Sequence, residues 1–508
     1  MVTFTGSPDA ELFSREISES FKGALERDYV SQPDGKFPAG FLRASPIPQA
    51  FWDTMWTRDG GTFARELIFW GDYQHACQVA QCLIDFSGTD ADGFVAFPRS
   101  FSPGDAHKTG TEIDGHCGIV IAMIALWQRL PADNPFRARL YAFLHQPSSP
   151  LRYLHHQLAQ APLIAGSGEF GGGCAIGIPD SLNDNVVQNA YAAAAFLSAA
   201  NMEEEAGDHA TAAQWRADAA TIFGNMEKYL VDDDGSWIWC ITPGTLKKDP
   251  VMLQAPVNVG FGGLNAVSSV SADVFGFDPS TWPDPGLLTH SEKTFEKLYS
   301  FPLRKQQFDK YGFWSQFDIF RNGLGSGPSY GQGYALQDML LFDKLAMAGK
   351  ATDFLAEATF HSAADGHFPN GRLSPYYFYE RLNSPDAPAD VVNDTGCGAL
   401  NLVNVSEPLK SARLILGVDD TSLQEVRIMP RVPPSWSGYH AENWPILTSR
   451  GVVRADLMFE RKNGAVTFSL KVISGGAIPK LAVRLPGKGK DVWKRREDVR
   501  EVLLKSEL

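Results

Sequence analysis

The 508-residue sequence lacks several features that would place it in a familiar class of protein. No run of about 18 apolar residues occurs, so no membrane-spanning helix and no membrane partner is predicted. The opening "MVTFTGSPDAELFSREISES" has no basic segment followed by an apolar one, which argues against a signal peptide. We therefore expect a cytoplasmic protein, or a secreted one whose leader has been removed.

Positive charge is also scarce. The chain carries 45 Lys and Arg against 59 Asp and Glu, a net charge of −14. Binding to phosphate backbones needs a basic surface, so a nucleic-acid partner is excluded. One basic cluster occurs, "KGKDVWKRREDVR" at 488–500, but acids interrupt it. It is interpreted as a solvated terminus.

Metal-binding and disulfide patterns are missing as well. The six cysteines (77, 82, 117, 174, 240 and 397) have no C-x-x-C spacing and sit mostly in apolar surroundings, which is typical of reduced, buried thiols. The 11 histidines are scattered, and "LHHQL" places adjacent imidazoles on different helix faces. No metal site and no cofactor is predicted.

Helical periodicity dominates the first four-fifths of the chain. The Ala-rich "NVVQNAYAAAAFLSAANM" is one of the clearest segments. The pattern predicts twelve helices, at 9–28, 60–70, 73–86, 114–130, 148–160, 185–201, 207–229, 257–274, 288–300, 331–348, 350–362 and 396–412.

From about Gly417 the pattern changes to alternation of apolar and polar residues. "GVVRADLMFERKNGAVTFSLKVI" contains two such runs joined by Asn-Gly at 463–464, a hairpin signal. We predict a mainly α protein with two domains, a helical one over 1–415 and a β-sandwich over 416–508.

Twelve helices followed by a β domain fit an (α/α)6 barrel, in which six inner helices are ringed by six outer ones. If the two kinds alternate, the even-numbered helices are inner. The loops that enter them are long and rich in Gly and aromatic residues, which favours a site on that face. These loops span 48–60, 102–114, 162–185, 313–332 and 364–396.

The first of these loops reads "FWDTMWTRDGG" and contains Trp52, Asp53, Trp56, Arg58 and Asp59. An Arg–Asp pair can hold sugar hydroxyls by charge-assisted hydrogen bonds while an aromatic ring covers the apolar sugar face. The alternative is a structural ion pair, with Asp59 capping the following helix.

Three short strings resemble known families. "WTRD" is similar to the glucoamylase motif, with related forms in alkaline and neutral invertases and exo-α-mannosidases. "GTEIDGHCGIVIAM", which carries Glu112, Asp114 and His116, resembles a segment of the exo-α-mannosidases, and "IMPRVPPSW" resembles the sheet domain of α-L-rhamnosidases and disaccharide phosphorylases. The resemblance indicates the six-hairpin glycosidase superfamily, in which the Arg–Asp pair grips the sugar in subsite −1.

The resemblance also implies a general acid in the loop "PLIAGSGEFGGGCAIGIPDSLNDN". Glu169 is the first candidate, because the surrounding glycines allow close approach of a sugar and Phe170 would raise the carboxyl pKa. Asp180 or Asp184 could hold the role instead. A plain Gly-rich surface loop is the structural alternative.

The base is expected before the twelfth helix, in "FPNGRLSPYYFYERLNSPDAPADVVNDTGC". "FYERLN" is similar to the base segment of α-L-rhamnosidases, which implies Glu380 as the base beside Tyr379. A structural ion pair at Glu380, or Asp394 as the base, are the alternatives. Inverting hydrolysis would place the two carboxyl groups about 6.5–9.5 Å apart.

The loop "GLGSGPSYGQGYALQD" offers Tyr330, Gln332 and Tyr334 as sugar contacts, or forms a tight turn. It matches G-x-S-x-G at Ser329, but that nucleophile motif needs a preceding strand in an α/β sheet, and this chain is predicted helical there. The Gly-Lys-Ser/Thr of a phosphate-binding loop is absent.

These patterns predict an exo-acting, inverting, α-specific glycoside hydrolase that acts on a carbohydrate as a monomer or small homo-oligomer. A disaccharide phosphorylase would replace the base by a phosphate site. A polysaccharide lyase or sugar epimerase would use His116, Tyr330 or Tyr379. A non-catalytic sugar-binding protein is the remaining alternative.

Overall fold

The computed structural model covers most of the helical region and the whole carboxy-terminal region. It describes residues 1–44, 53–103, 110–166, 184–242, 246–248, 262–300, 302–312, 326–327, 332–360, 382–383 and 401–508.

Helices occupy most of the chain before residue 417. Their starts follow local signals: Ser7, Asn134 and Ser149 each cap a helix that has a proline in its first turn. The helices are α1 Pro8–Arg27, α2 Thr57–Phe69, α3 Tyr73–Phe86, α4 Ile113–Arg129, α5 Pro135–His145, α6 Pro150–Gln160, α7 Val186–Ala206, α8 His209–Tyr229, α9 Gly262–Phe275, α10 Pro285–Ser300, α11 Pro302–Tyr311, α12 Gln332–Leu341, α13 Leu345–Phe360 and α14 Leu402–Leu416.

Six of these helices form a closed inner ring. Helix α2 packs on α4, α4 on α7, α7 on α9, α9 on α12, α12 on α14, and α14 on α2. Every residue of α2 and α14 is buried, whereas α1 and α3 bury only one face. The predicted (α/α)6 barrel is therefore confirmed, and the even-numbered predicted helices are the inner ones.

Three stretches differ from the predicted helices, and one of them is α11, which the periodicity does not predict. The periodicity does not predict α5, although Asn134 Oδ1 accepts a hydrogen bond from the Phe136 amide at 2.9 Å. The predicted helix 331–348 is interrupted after Leu341, because Asp343 has a φ of 54°. The Asp343 carboxylate is held there by Arg431 and Arg484, at 3.1 and 2.8 Å, so a tertiary contact sets the break.

Short strands form pairs and one three-stranded sheet within the helical region, and two larger sheets follow it. The small strands are β2 Met55–Trp56, β3 Gly88–Thr89, β4 Val95–Ala96, β5 Ser100–Phe101, β6 Asp184–Asn185, β7 Cys240–Thr242, β8 Lys247–Lys248, β9 Ser326–Gly327 and β10 Leu382–Asn383. The three-stranded sheet has the order β6-β7-β8. The larger sheets use β1 Val2–Thr5, β11 Val418–Asp419, β12 Val426–Ile428, β13 Gly438–Thr448, β14 Gly451–Lys462, β15 Ala465–Ser474, β16 Ile478–Leu485, β17 Val492–Val499 and β18 Glu501–Glu507.

The larger sheets have the orders β1-β13-β14-β15-β18 and β11-β12-β16-β17. All neighbours are antiparallel except β12 and β16. The predicted Asn-Gly turn joins β14 to β15, with φ of 52° at Asn463 and 72° at Gly464. The predicted carboxy-terminal antiparallel β domain is confirmed.

The ends of the chain differ from the prediction. Residues 488–500 are not a plain solvated terminus, because β17 pairs with β16 and β18 pairs with β15. Both are edge strands with exposed charges, which hide their alternation in the sequence. Strand β1 also pairs with β13, so residues 2–5 join the sheet of the second region. The domain division at 415–416 stays a prediction.

The cysteines that the structure describes are buried or half-buried. Cys77, Cys82, Cys117 and Cys240 are free thiols, and burial raises the pKa of Cys77 to about 11 and of Cys82 to about 12.

Within the described ranges, no helix combines the length and hydropathy needed to cross a bilayer.

Candidate functional site

The inner helices all begin at one end of the barrel. Near the start of α2, Arg58 Nε donates to Asp114 Oδ2 near the start of α4, at 2.6 Å. The α14 cap, Asn401, donates to Asp59 Oδ2 at 3.3 Å. Glu407 of α14 accepts from the amide of Gly333, the second residue of α12, at 2.9 Å. These contacts define the mouth of the barrel, the end at which the inner helices start.

Every inner helix contributes a buried polar side chain within its first four residues. None of these side chains is more than 7% exposed. Because they come from all six helices, they surround the barrel axis at the mouth. We call this set the polar ring: Arg58 and Asp59 on α2, Asp114 on α4, Gln188 on α7, Asn265 on α9, Tyr334 on α12 and Asn404 on α14.

One side of the polar ring is built on an ion pair between α2 and α4. The Arg58 guanidinium contacts Glu112, the residue before α4, and Asp114 in its first turn. Gly115 lets the two helix starts approach, since a Cβ there would lie 2.7 Å from Thr57 Oγ1. The structure thus brings together Arg58, Glu112 and Asp114, as their positions in neighbouring loops predict.

Asp59 has a different partner from Arg58. Its carboxylate accepts from Asn401, whose own side-chain oxygen caps α14 by accepting from the Val403 amide at 3.0 Å. The alternative in which Asp59 caps its own helix is wrong, because α2 begins at Thr57 and Asp59 is already its third residue.

Several ring atoms have no hydrogen-bond partner among the residues that the structure describes. They are Asp114 Oδ1, Tyr334 Oη and both side-chain polar atoms of Asn265 and of Asn404. A buried polar group without a partner costs about 1–3 kcal/mol, so native proteins rarely keep one without water or a ligand. The polar ring therefore has unused hydrogen-bonding capacity of the kind a polyhydroxylated ligand would fill.

A buried charge cluster lies deeper in the barrel. Arg65 and Lys410 contact Asp273 at 3.1 and 2.8 Å. Arg413 joins it through Asp273 at 2.9 Å and Glu66 at 2.7 Å. We call these five residues the axial charge cluster.

Burial and neighbouring charges set the pKa values in this cluster. Burial opposes ionisation of Asp273, but Lys410, Arg413 and Arg65 outweigh it and hold its pKa well below the usual range. Burial, with Arg65 and Arg413 adding to it, lowers the pKa of Lys410 to about 8 despite Asp273.

A small cavity lies at the end of the barrel opposite the mouth. It borders the carboxy-terminal turns of α2 and α4, near Phe69, Arg129 and Asp273. Its volume of about 30 Å³ admits a water molecule but not a sugar. This cavity is therefore not a candidate site for a sugar-sized ligand.

His116 lies close to the polar ring but uses both nitrogens on backbone groups. Nδ1 accepts from the Phe97 amide at 3.3 Å, which leaves the proton on Nε2, 3.1 Å from the Pro150 carbonyl. The ring is fully buried, and desolvation lowers its pKa to about 4 although Pro150 opposes this. His116 thus joins α4 to the start of α6, and we leave it out of the proposed sugar contacts.

This environment predicts acid sensitivity. Below pH about 6.5 the unfolded chain binds a proton at His116, whereas the folded chain does so only below about 4. The free energy of unfolding should therefore fall by about 3 kcal/mol between pH 6.5 and 4 from this group. Urea unfolding of wild type and His116→Asn at several pH values would isolate the effect. A stability difference that stays constant with pH would contradict it.

Two other predicted contacts lie at the barrel mouth or at its rim. Trp56 precedes α2 and is half-buried, with the Arg99 guanidinium 5.4 Å from its ring centre. Asp53 forms an ion pair with Lys36 at 3.4 Å, and its side chain is 41% exposed. Gln332 begins α12, but its side chain is not described. Trp52, Glu169, Asp180, Tyr330, Tyr379 and Glu380 lie outside the described residues, as does Ser329.

Sequence reasoning does not find several members of the site. Asn265 and Asn404 sit singly in apolar helices, Gln188 in an Ala-rich one, and Asn401 looks like a helix cap only. One signal was available: a polar residue at the second to fourth position of each inner helix, on a stretch otherwise apolar. This signal identifies site residues only after the six inner helices have been distinguished from the outer ones.

One group of possible metal ligands occurs in the described part of the chain. His145, Glu203 and Asp208 lie together on the outer surface. Tyr141 donates to Glu203 at 2.8 Å, His145 Nδ1 lies 3.0 Å from it, and Thr211 donates to Asp208. Because these donors already occupy the carboxylates, we assign no metal there.

Comparisons with known proteins bear on the fold. No protein-family model and no curated protein matches the sequence. An α-L-rhamnosidase from Dictyoglumus thermophilum matches with a TM-score of 0.60 at 10% identity, over 100% of this chain and 51% of that one. A GH78 family rhamnosidase of Bacillus sp. GL1 gives 0.52 at 14% identity, over 91% and 41%.

A D-mannose isomerase has a TM-score of 0.52 at 10% identity, over 79% of this chain and 96% of that one. The chain spans about half the length of the two rhamnosidases it resembles. At such low identity the similarity shows the fold alone. The chain has an (α/α)6-barrel fold, followed by a small antiparallel β domain, and it shares this fold with the proteins named above.

Proposed function

We propose that this protein is a carbohydrate-active enzyme, an exo-acting and inverting glycoside hydrolase that binds a terminal sugar at the barrel mouth. The observation that carries the proposal is the polar ring, with its buried and partly unpaired hydrogen-bonding atoms on six converging helices. A sugar is the ligand class whose hydroxyl groups both donate and accept hydrogen bonds in all directions around a ring.

The charge of the site favours a neutral sugar. Near the mouth, Arg58 faces the carboxylates of Glu112 and Asp114, and Asp59 and Glu407 add two more acids. The positive ends of six helix dipoles offset part of this negative charge. An anionic ligand such as a uronate or a phosphorylated sugar would gain little there.

Near each proposed catalytic acid in the sequence, one described residue is anchored by a contact. Gly166, three positions before Glu169, lies against Gln188 of the polar ring, and a Cβ at Gly166 would come 2.3 Å from Gln188 Oε1. Leu382, two positions after Glu380, pairs with Gly327 shortly before α12 begins. These anchors support Glu169 as the acid and Glu380 as the base of the proposed mechanism.

In this mechanism Glu169 protonates the leaving oxygen while Glu380 takes a proton from the attacking water. The water attacks the face of the sugar opposite the leaving group, so the product has the opposite anomeric configuration. The polar ring holds the hydroxyl groups of the terminal residue. The preference for α-linked substrates follows from the families that the loop motifs resemble.

The proposal is tested with nitrophenyl α- and β-glycosides of neutral sugars and their uronates, together with natural disaccharides. The expected result is hydrolysis of one neutral α-glycoside class, with NMR showing the β-anomer released first. Turnover that requires phosphate would indicate a phosphorylase, and an unsaturated product absorbing in the near ultraviolet would indicate a lyase. Conversion of free mannose without any glycoside cleavage would indicate an isomerase. Each of these last three results would overturn the proposed hydrolase.

A further inference from the structure

Two members of the polar ring come from opposite sides of the barrel. Asp114 is on α4 and Tyr334 is on α12, and two inner helices separate them in either direction around the ring. Their side chains are 1% and 2% exposed. Within the described part of the chain, Asp114 Oδ1 and Tyr334 Oη nevertheless lack a hydrogen-bond partner.

These two side chains have the same neighbours. Asp114 holds Arg58 Nε at 2.6 Å and interacts electrostatically with Tyr191. Burial raises the pKa of Tyr334, and the same Tyr191 and Arg58 are among the groups close enough to influence that pKa electrostatically. The Tyr191 ring lies against α4, since a Cβ at Gly118 would be 3.8 Å from its Cε1. Asp114 is the second residue of α4 and Tyr334 the third of α12, so both lie at the mouth end of the barrel on opposite helices of the inner ring.

Both are held in fixed positions. The Arg58 ion pair fixes the Asp114 carboxylate through Oδ2 and leaves Oδ1 unpaired. The start of α12 is fixed against α14, because Glu407 accepts from the Gly333 amide and a Cβ at Gly333 would lie 2.1 Å from Glu407 Cβ. Polar groups that are fixed and unpaired are suited to binding a ligand atom at one defined position.

We infer that Asp114 and Tyr334 determine specificity, by binding two different hydroxyl groups of the terminal sugar from opposite sides of the axis. This inference rests on the proposed function. As an ion-paired carboxylate, Asp114 Oδ1 only accepts, so the sugar must supply a hydroxyl donor at that position. Tyr334 both donates and accepts. A sugar lacking either hydroxyl leaves a buried protein group unpaired, which is how enzymes reject close analogues.

The protein-side experiment compares Tyr334→Phe with a matched control, Tyr439→Phe. Tyr439 is equally buried in the sheet domain, but its hydroxyl donates to the Leu416 carbonyl at 3.0 Å. We expect Tyr334→Phe to raise the melting temperature of the ligand-free protein by about 1–3 °C, because it removes an unpaired buried hydroxyl. It should also lower kcat/KM about 10- to 100-fold. Tyr439→Phe should lower the melting temperature and leave kcat/KM unchanged.

The ligand-side experiment uses monodeoxy analogues of the sugar that the wild type binds best. One deoxy position should weaken binding about 10-fold or more in wild type but less than about 2-fold in Tyr334→Phe. A second position should weaken binding in both proteins, as expected for the hydroxyl that donates to Asp114. If every deoxy analogue weakens binding by the same factor in Tyr334→Phe as in wild type, the assignment of Tyr334 is overturned.

Failure of the inference differs from failure of the proposed function. If no glycoside is cleaved, binding of D-glucose, D-mannose and L-rhamnose to wild type and Tyr334→Phe is measured by calorimetry. A sugar that binds wild type but binds the variant at least about 10-fold more weakly supports the inference without hydrolysis. Equal affinities, no binding of any sugar, or a lower melting temperature in Tyr334→Phe would overturn it.

Discussion

Replacing Glu169 or Glu380 by glutamine is expected to lower kcat about 10²- to 10⁴-fold while the fold stays intact. Glutamine has the shape of glutamate but neither donates nor accepts a proton at neutral pH. In the sequence these positions are three residues after Gly166 and two residues before Leu382, which the structure describes. Steady-state kinetics, with circular dichroism to check the fold, measure the effect.

The two variants should respond differently to the leaving group. An acidic phenol leaves without help, so Glu169→Gln should lose much less activity on a dinitrophenyl glycoside than on a natural disaccharide. Glu380→Gln should lose activity equally on both, because the attacking water still needs a base. Glu205→Gln, on the outer surface where Glu205 pairs with Arg137 at 2.6 Å, is the matched control and should keep full activity.

Substitution of the alternative acids completes this experiment. Asp180→Asn, Asp184→Asn and Asp394→Asn should each keep most of the activity. If Asp180→Asn or Asp184→Asn shows the leaving-group dependence instead, the acid is there and Glu169 is not catalytic. Near-normal activity of both glutamine variants would remove the carboxylate pair from the mechanism.

Replacing Asp273 by asparagine should lower the free energy of unfolding by about 3–5 kcal/mol. Asp273 contacts Arg65, Lys410 and Arg413, and all of these side chains are buried. Asparagine fits the same space but leaves three buried cations with Glu66 as the remaining acid of the axial charge cluster. The large effect reflects these uncompensated charges rather than the net value of the ion pairs.

Chemical denaturation and the melting temperature measure this loss. Asp85→Asn makes the same chemical change in an exposed pair with Arg139 and should leave the midpoint unchanged. Lys410→Met should lower the free energy of unfolding less in the Asp273→Asn variant than in wild type. In that variant the substitution removes a cation that has already lost its Asp273 partner. If Asp273→Asn unfolds at the wild-type midpoint, the cluster does not stabilise the barrel.

Much of the fold could be predicted because its signals are local. Apolar residues three and four positions apart predict the helices, and Asn463-Gly464 predicts a hairpin without knowledge of any distant residue. The break at Asp343 could not be predicted, because Arg431 and Arg484 stabilise its conformation from the sheet domain. Strands β17 and β18 were hidden because exposed edge strands carry charges on most positions.

The site was predictable only in part. The strings around Arg58 and Asp114 identify one side of the mouth, since both occur next to a helix start. Their true pairing, Arg58 with Glu112 and Asp114 and not with Asp59, depends on how α2 packs on α4. His116 looks like a site residue in the sequence, and only the structure shows its nitrogens bonded to Phe97 and Pro150.

The sequence by itself determined most of the helical segments, how they alternate around the barrel, and the change from helices to strands near Gly417. Those properties follow from periodicity and turn chemistry over a few residues. Tertiary structure alone decided that Gln188, Asn265 and Asn404 lie together at the mouth, and that Asp273 lies beside Lys410 and Arg413. The physical reason is that a single polar residue in an apolar helix reveals its partner only when another helix, distant in the chain, packs against it.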